Sequence, residues 1–253
     1  MRCENKTVLI TGASSGIGLA CASELAKEGA RLILSARRSE KLQALALDLQ
    51  KTYQSAVHTI SCDVRDRKAV QHALMQLPEA FQTVDVLINN AGLALGLDKM
   101  HAALSSDWDQ MIETNIKGVL HMTEYVLPKM LARGVGHVIN IGSTAGHQTY
   151  PGGSVYCATK YAVAALTRTL SQEVAGTKLR VTEIAPGMVE TEFSLIRFKG
   201  DQTRAQKVYE NITALTPRDV ADAVVYAMTR PPHVNIAQIL LYATDQPAAF
   251  RPG

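Results

Sequence analysis

The sequence predicts a doubly wound α/β fold, an open parallel sheet with helices on both faces. Three observations carry that prediction. Short runs rich in Val, Ile and Leu alternate along the chain with longer runs of helical periodicity. Runs such as VLI at 8–10 and LIL at 32–34 are apolar at consecutive positions, as strands are when helices cover a parallel sheet on each side. A glycine-rich turn, TGASSGIG at 11–18, joins the first strand to the first helix.

Taken in order, TVLIT at 7–11 is a strand and 15–28 a helix, then RLILSA at 31–36 is a strand and 39–52 a helix. AVHTISC at 56–62 is the third strand, followed by a helix over 66–77, and VDVLIN at 84–89 is the fourth, followed by one long helix over 105–132. HVINIGS at 137–143 is the fifth strand. The run 154–176 is rich in Ala and Leu with no Pro or Gly before its end, so it reads as a helix of about six turns. RVTEIA at 180–185 is the sixth strand, and about seven are expected in all. Short connections between strands and following helices imply parallel pairing through right-handed crossovers, a single Rossmann-type sheet. No composition break or linker divides residues 1–253, so one domain is expected, without internal repeats.

Bulk properties narrow the function. The chain is 47% hydrophobic and 19% charged, and its apolar runs stop well short of a membrane span. A net charge of +3 without any block of basic residues gives no support to nucleic-acid binding. Cys3, Cys21, Cys62 and Cys157 lack CxxC spacing, and the seven His form no HxH or HExxH pair, so neither disulfides nor a metal site is expected. A first strand beginning beside Lys6 leaves no room for a signal peptide, which makes a cytoplasmic location the expectation.

The glycine turn carries chemistry. Gly12, Gly16 and Gly18 permit unusual dihedrals and close approach of a ligand, while the helix N-terminus beyond them offers unpaired N–H groups to phosphate oxygens. Ser14 and Ser15 add hydroxyls, and Ile17 lies within the same turn. Its place after the first strand of a doubly wound sheet points to a dinucleotide. An acid is needed after the second strand to bond a ribose 2′-hydroxyl, but Arg37 and Arg38 stand there instead. Guanidinium forks suit a 2′-phosphate, so NADP(H) is expected, with Arg37 the stronger candidate and Arg38 open to a surface role. Two roles are open to Asp63, an acceptor for the adenine amino group with Val64 beside it, or a helix cap that Asp66 would otherwise supply. Asn90, Ala91 and Gly92 follow the fourth strand at the same sheet edge, where ligands bind in open α/β folds.

YCATK at 156–160 sets Tyr156 and Lys160 one helical turn apart on one face. Taken alone, such a pair is as easily two neighbours on a helix surface. Together, however, TGASSGIG, NNAG, IGSTAG, YCATK and APGMVET resemble, in order and spacing, the short-chain dehydrogenase/reductase family, over nearly the whole chain. NNAGLALG, RFKGD, ALTPRDVADAV and HVNI look like its NADP-dependent 3-hydroxy acid dehydrogenases, which act on serine, allo-threonine and related aldehydes such as malonic semialdehyde. The resemblance implies a catalytic tetrad of Asn115, Ser143, Tyr156 and Lys160. Tyr156 then exchanges a proton with the substrate oxygen, and since a free phenol has a pKa of about 10, a nearby ammonium and an oxidised nicotinamide are expected to lower it. Ser143 would hold the substrate oxygen and Lys160 also the nicotinamide ribose. Asn115 would anchor a water in a proton path, or serve as a buried structural Asn.

Pro186, Gly187, Val189 and Thr191 are expected over the nicotinamide, and 190–212 as a lid over the substrate. A small anionic substrate calls for a cation, so Arg197 or Lys199 is expected at its carboxylate, Arg197 preferred for its fork, unless both are solvated loop charges. His147, Gln148 and Gly153 are candidates for the same pocket. The helices 105–132 and 154–176 resemble those through which family members form dimers and tetramers, so a homo-oligomer is expected. Reduction of sulfoacetaldehyde, a diketone or a 3-oxoacyl thioester is the main alternative, and a non-catalytic NADP(H) sensor is the other.

Overall fold

The computed structural model describes residues 2–246. Its strands are β1 (Thr7–Thr11), β2 (Arg31–Ala36), β3 (Val57–Ser61), β4 (Val86–Asn89), β5 (Val135–Ile141), β6 (Lys178–Pro186) and β7 (Gln238–Leu241). Its helices are α1 (Gly16–Lys27), α2 (Ser39–Tyr53), α3 (Arg67–Met75), α4 (Ser105–Ile112), α5 (Gly118–Arg133) and α6 (Ser154–Glu173), then α7 (Phe193–Arg197), α8 (Gln202–Lys207) and α9 (Pro217–Met228). The seven strands pair in parallel in the order β3-β2-β1-β4-β5-β6-β7.

Consecutive apolar residues serve opposite faces because side chains alternate along a strand. Val8, Ile10, Leu32 and Leu34 pack with Leu25 of α1, Leu42 and Leu49 of α2 and Val224 of α9. Their neighbours Leu9 and Ile33, with Leu87 and Val138, pack with Val70 of α3 and Met122, Val126 and Met130 of α5 on the other side. Strand order reverses between β1 and β4, which opens a crevice beyond the carboxyl ends of the strands.

Two expectations need correction. The single helix over 105–132 is interrupted by a π-helical turn at Glu113–Lys117, which separates α4 from α5. Gly118 follows that turn in tight contact with β3–α3, and a Cβ there would sit 2.7 Å from Val64 Cγ2. Such π turns cost hydrogen-bond geometry and gather at functional sites, and this one carries Asn115. The seventh strand, QILL at 238–241, lies beyond the six the sequence delimits, because four residues on the sheet edge with alternating exposure give too little periodic signal. The helix before it does carry a legible start, since Thr216 and Asp219 cap each other reciprocally with Pro217 at the first helical position.

Candidate active site

The glycine turn is built on Asn90. Its Nδ2 donates to Thr11 O at 2.8 Å and Gly12 O at 3.3 Å, while Asn90 N and Ala91 N both donate to Thr11 Oγ1 at 2.9 Å. Asn90 is thus a strut between β1 and β4. Gly12 has φ of +65° and Gly16 of +55°, left-handed values that glycine adopts without strain. A Cβ on Gly18 would lie 2.5 Å from both Asn90 Nδ2 and Gly12 O, so α1 begins flush against the strand end. No side chain caps α1: Ser15 Oγ instead accepts from Arg38 Nη2 at 2.6 Å. The first-turn N–H groups, open to an anion at the end of a turn drawn tight against β1 and β4, fit a pyrophosphate.

Beyond the turn lies a crevice of about 520 Å³. Every residue expected to touch cofactor or substrate lines it except Gly18 and Asn115, which support it from behind, and Lys199 and the loop candidates treated below. Arg37 and Arg38 both border the crevice. Arg38 is the one engaged with the turn, through Nε to Ser14 Oγ at 3.1 Å as well as through Ser15. Asp66 takes the cap of α3, accepting from Lys68 N and Ala69 N. Asp63 is left on the crevice wall, where Arg65 Nη2 donates to its Oδ2 at 2.7 Å.

Tyr156, Ser143 and Lys160 meet at the far end. All three are buried, with 8%, 8% and 7% of their surface exposed. Ser143 Oγ accepts from Ala145 N at 3.1 Å, and its hydroxyl stands beside the Tyr156 phenol, whose ionised form it favours. Burial pushes the phenol well above its usual pKa, with the Tyr150 hydroxyl adding to the rise and Ser143 and Arg197 opposing it. The sequence expectation is a phenol lowered by Lys160 together with an oxidised nicotinamide, and of these Lys160 is not among the groups that act on it here. The reason is geometric, because Lys160 Nζ donates to Ile141 O at 2.9 Å and lies 6.0 Å from the centre of the Tyr156 ring. Burial lowers the Lys160 pKa to about 8, against the opposing pull of Glu183.

That shift has a stability consequence of definite sign. The folded ammonium releases its proton near pH 8 and the unfolded one near its ordinary value of about 10.4, so between these the unfolded chain binds more protons and stability rises with pH. Lys160→Met is expected to flatten that rise and to raise the melting temperature at pH 7, where the buried ammonium is still charged. Thermal melts of both proteins from pH 7 to 10 check this, and parallel pH profiles would contradict it.

Asn115 is fully engaged. Its Oδ1 accepts from Leu93 N at 2.9 Å, and its Nδ2 donates to Leu93 O at 2.8 Å and Thr159 Oγ1 at 3.0 Å. The side chain therefore fixes the loop beside Gly92 to the residue preceding Lys160. A Cβ on Gly92 would stand 3.3 Å from Asn115 Oδ1 and 3.7 Å from Lys160 Nζ, which places all three around one point.

The substrate side departs most from expectation. Arg197, at the end of α7, donates through Nη2 to Tyr150 Oη at 2.7 Å and through Nε to Gly96 O at 3.1 Å. Its guanidinium lies 5.5 Å from the centre of the Tyr156 ring, inside the crevice. Lys199 points elsewhere, to Asp107 at 2.9 Å. His147, Gln148 and Gly153 do not line the crevice. His147 Nε2 turns to the buried Glu183 at 3.1 Å, and Gly153 is a seat for Tyr150, since a Cβ there would collide with that ring at 2.3 Å. Tyr150, Phe193 and Tyr209 line the crevice without having been singled out. Phe193 meets Tyr156 edge-on at 5.7 Å, and Tyr209 binds Ser194 at 2.7 Å and Val189 O at 3.0 Å. The aromatic preceding PGG at 150 was the available signal for Tyr150.

A model of the family described as short chain dehydrogenase matches residues 6–200. The chain belongs to that family. Among relatives, the NADP-dependent 3-hydroxy acid dehydrogenase of Schizosaccharomyces pombe is 45% identical over 98% of this short-chain dehydrogenase and 96% of its own length. Sulfoacetaldehyde reductase 2 of Chromohalobacter salexigens is 46% identical, covering 94% of each chain. A solved structure, the closed form of serine dehydrogenase complexed with NADP+, superposes with a TM-score of 0.88 at 46% identity, covering 92% of this chain and 93% of that one. The Tyr, Lys and Ser of this short-chain dehydrogenase therefore sit in a sheet architecture that is matched almost end to end by an NADP+ complex.

Proposed function

We propose that this short-chain dehydrogenase is an NADP(H)-dependent oxidoreductase that interconverts small 3-hydroxy acids, of the serine, allo-threonine or 3-hydroxypropionate type, with the matching aldehydes or ketones. The observation that carries the reading is Tyr156, buried with Ser143 and Lys160, with the Arg197 guanidinium over its ring. The glycine turn with its uncapped α1 would hold the pyrophosphate, and Arg38 with Arg37 the 2′-phosphate. Bound there, the nicotinamide supplies or accepts the hydride.

The chain's own part is proton transfer and orientation. Ser143 accepts from Ala145 N, so its hydroxyl proton is available to the substrate oxygen. Tyr156 gives its proton to the developing alkoxide during reduction and recovers it during oxidation. Burial keeps the phenol protonated, so it holds the proton that reduction delivers to the alkoxide, and oxidation needs the phenolate that burial disfavours. Oxidation relies on additional positive charge near the phenol, to which Arg197 contributes. Asn115 is a positioning residue that ties Leu93 to Thr159. The segment 190–212, which lays α7 over Tyr156 and brings Tyr209 to the crevice, is the substrate lid in this reading.

A second reading, reduction of sulfoacetaldehyde, is favoured by the similarity to sulfoacetaldehyde reductase 2 and by the same cation, since Arg197 suits a sulfonate as well as a carboxylate. The enzyme is further proposed to be a cytoplasmic homo-oligomer, a dimer or tetramer within one continuous domain. Four buried free thiols support the first and the exposed Leu120 and Leu131 of α5 with Tyr161 of α6 the second.

Oxidation of NADPH with malonic semialdehyde, sulfoacetaldehyde, a diketone and a 3-oxoacyl thioester tests the reading. Turnover is expected with the acidic aldehydes and with NADPH over NADH. No turnover with any of them, or equal use of NADH, would refute it.

A further inference from the structure

Two cations at the start of α2 and one acid 150 residues further along the chain share a contact that cofactor binding by Arg37 and Arg38 does not explain. Glu192 Oε2 accepts from Arg38 Nη1 at 2.9 Å, and Glu192 Oε1 accepts from Lys41 Nζ at 3.1 Å. Arg38 also donates through Nε to Ser14 Oγ and through Nη2 to Ser15 Oγ. The carboxylate thus bridges two cations, one of which also holds the two hydroxyls of the glycine turn, and Glu192 itself lines the crevice. The contacts hold its carboxyl well below the usual range, at about 2, so it is an anion at every working pH.

A phosphate monoester asks for the same donors. It carries more charge and more acceptor oxygens than a carboxylate, and it cannot share Arg38 with Glu192 without like-charge repulsion. We infer that Glu192 is an internal anion that exchanges with the ribose 2′-phosphate for Arg38 and Lys41, and that Lys41 is thereby a phosphate-binding residue. The inference rests on the NADP(H) reading of the crevice. A ribose without the phosphate leaves the Glu192 bridge intact.

The exchange reaches the substrate side. Glu192 leads directly into α7, whose Phe193 stands edge-on to Tyr156 and whose Arg197 covers the same ring. Displacing the carboxylate from Arg38 and Lys41 therefore unties the root of the helix that carries the substrate cation. Cofactor discrimination and the placement of Arg197 become linked through one side chain, and linkage of binding free energies is reciprocal.

Calorimetric titration with 2′,5′-ADP and with 5′-AMP separates the possibilities. The wild-type chain is expected to prefer 2′,5′-ADP. Glu192→Gln, an exposed and nearly isosteric change, is expected to tighten 2′,5′-ADP about tenfold through removal of the competing charge and to leave 5′-AMP unchanged. Lys41→Met is expected to weaken 2′,5′-ADP about fivefold and to spare 5′-AMP. Amide exchange of residues 193–198 should speed up when 2′,5′-ADP is added to the wild type, and should already be fast in unliganded Glu192→Gln. Equal wild-type affinity for the two nucleotides removes the NADP(H) reading and this inference with it. A wild-type preference that Glu192→Gln leaves unchanged or weakens, 2′,5′-ADP binding that Lys41→Met leaves intact, or exchange at 193–198 that 2′,5′-ADP does not alter overturns the inference alone.

Discussion

Replacing Tyr156 with phenylalanine is expected to lower kcat for aldehyde reduction by about a thousandfold, within the range that positioned general acids and bases contribute. The variant keeps the ring, and with it the edge contact to Phe193 and the packing under Arg197. It also relieves rather than creates a burial problem, because the phenol oxygen is the polar atom whose ionisation the site resists. Fold and cofactor affinity should therefore survive, and NADPH binding measured directly should match the wild type. Turnover within a few-fold of wild type, with NADPH binding unchanged, would mean that another group moves the proton.

Arg197→Ala is expected to raise KM for acidic substrates by about 10- to 100-fold, the scale of one lost charge-assisted hydrogen bond in a partly enclosed site. KM for an uncharged aldehyde should change far less. Arg197 also steadies Tyr150 and the Gly96 carbonyl, so truncation removes support as well as charge. Arg197→Lys distinguishes the two, since an ammonium retains the charge without the fork that spans both partners. Partial rescue of KM by lysine, for acids only, is the expected pattern. An unchanged KM for every acidic substrate in Arg197→Ala would remove the guanidinium from substrate recognition.

Much of this architecture was legible because its causes are local. Apolar residues at consecutive strand positions declare a sheet covered on both sides, and Leu9 and Ile10 do face opposite layers. The glycine turn was legible for the same reason, since dihedrals of +65° and +55° and the contact behind Gly18 are demands on single residues. Features fixed by tertiary contact were not legible. Neighbours Arg37 and Arg38 look alike in the sequence, and only the path of the chain into α2 decides which one turns toward Ser14 and Ser15. The pairing of Tyr150 with Arg197 spans 47 residues. The π turn at Glu113–Lys117 is invisible to periodicity because it shifts the helical register by a single residue. Lys160 was expected to act on the phenol because four residues separate them, but its ammonium is drawn to the Ile141 carbonyl, a contact from the sheet and not from the helix.

The most direct test of the central claim is titration of the Tyr156 phenol itself, by ultraviolet difference between wild type and Tyr156→Phe, with and without NADP+. Without cofactor the phenol should stay protonated through the alkaline range, as its burial dictates. With NADP+ bound, phenolate should form at distinctly lower pH, because the oxidised nicotinamide adds positive charge beside the ring. A phenol that titrates at the same pH with and without NADP+ would contradict the assignment of Tyr156 as the proton-transferring group of this site.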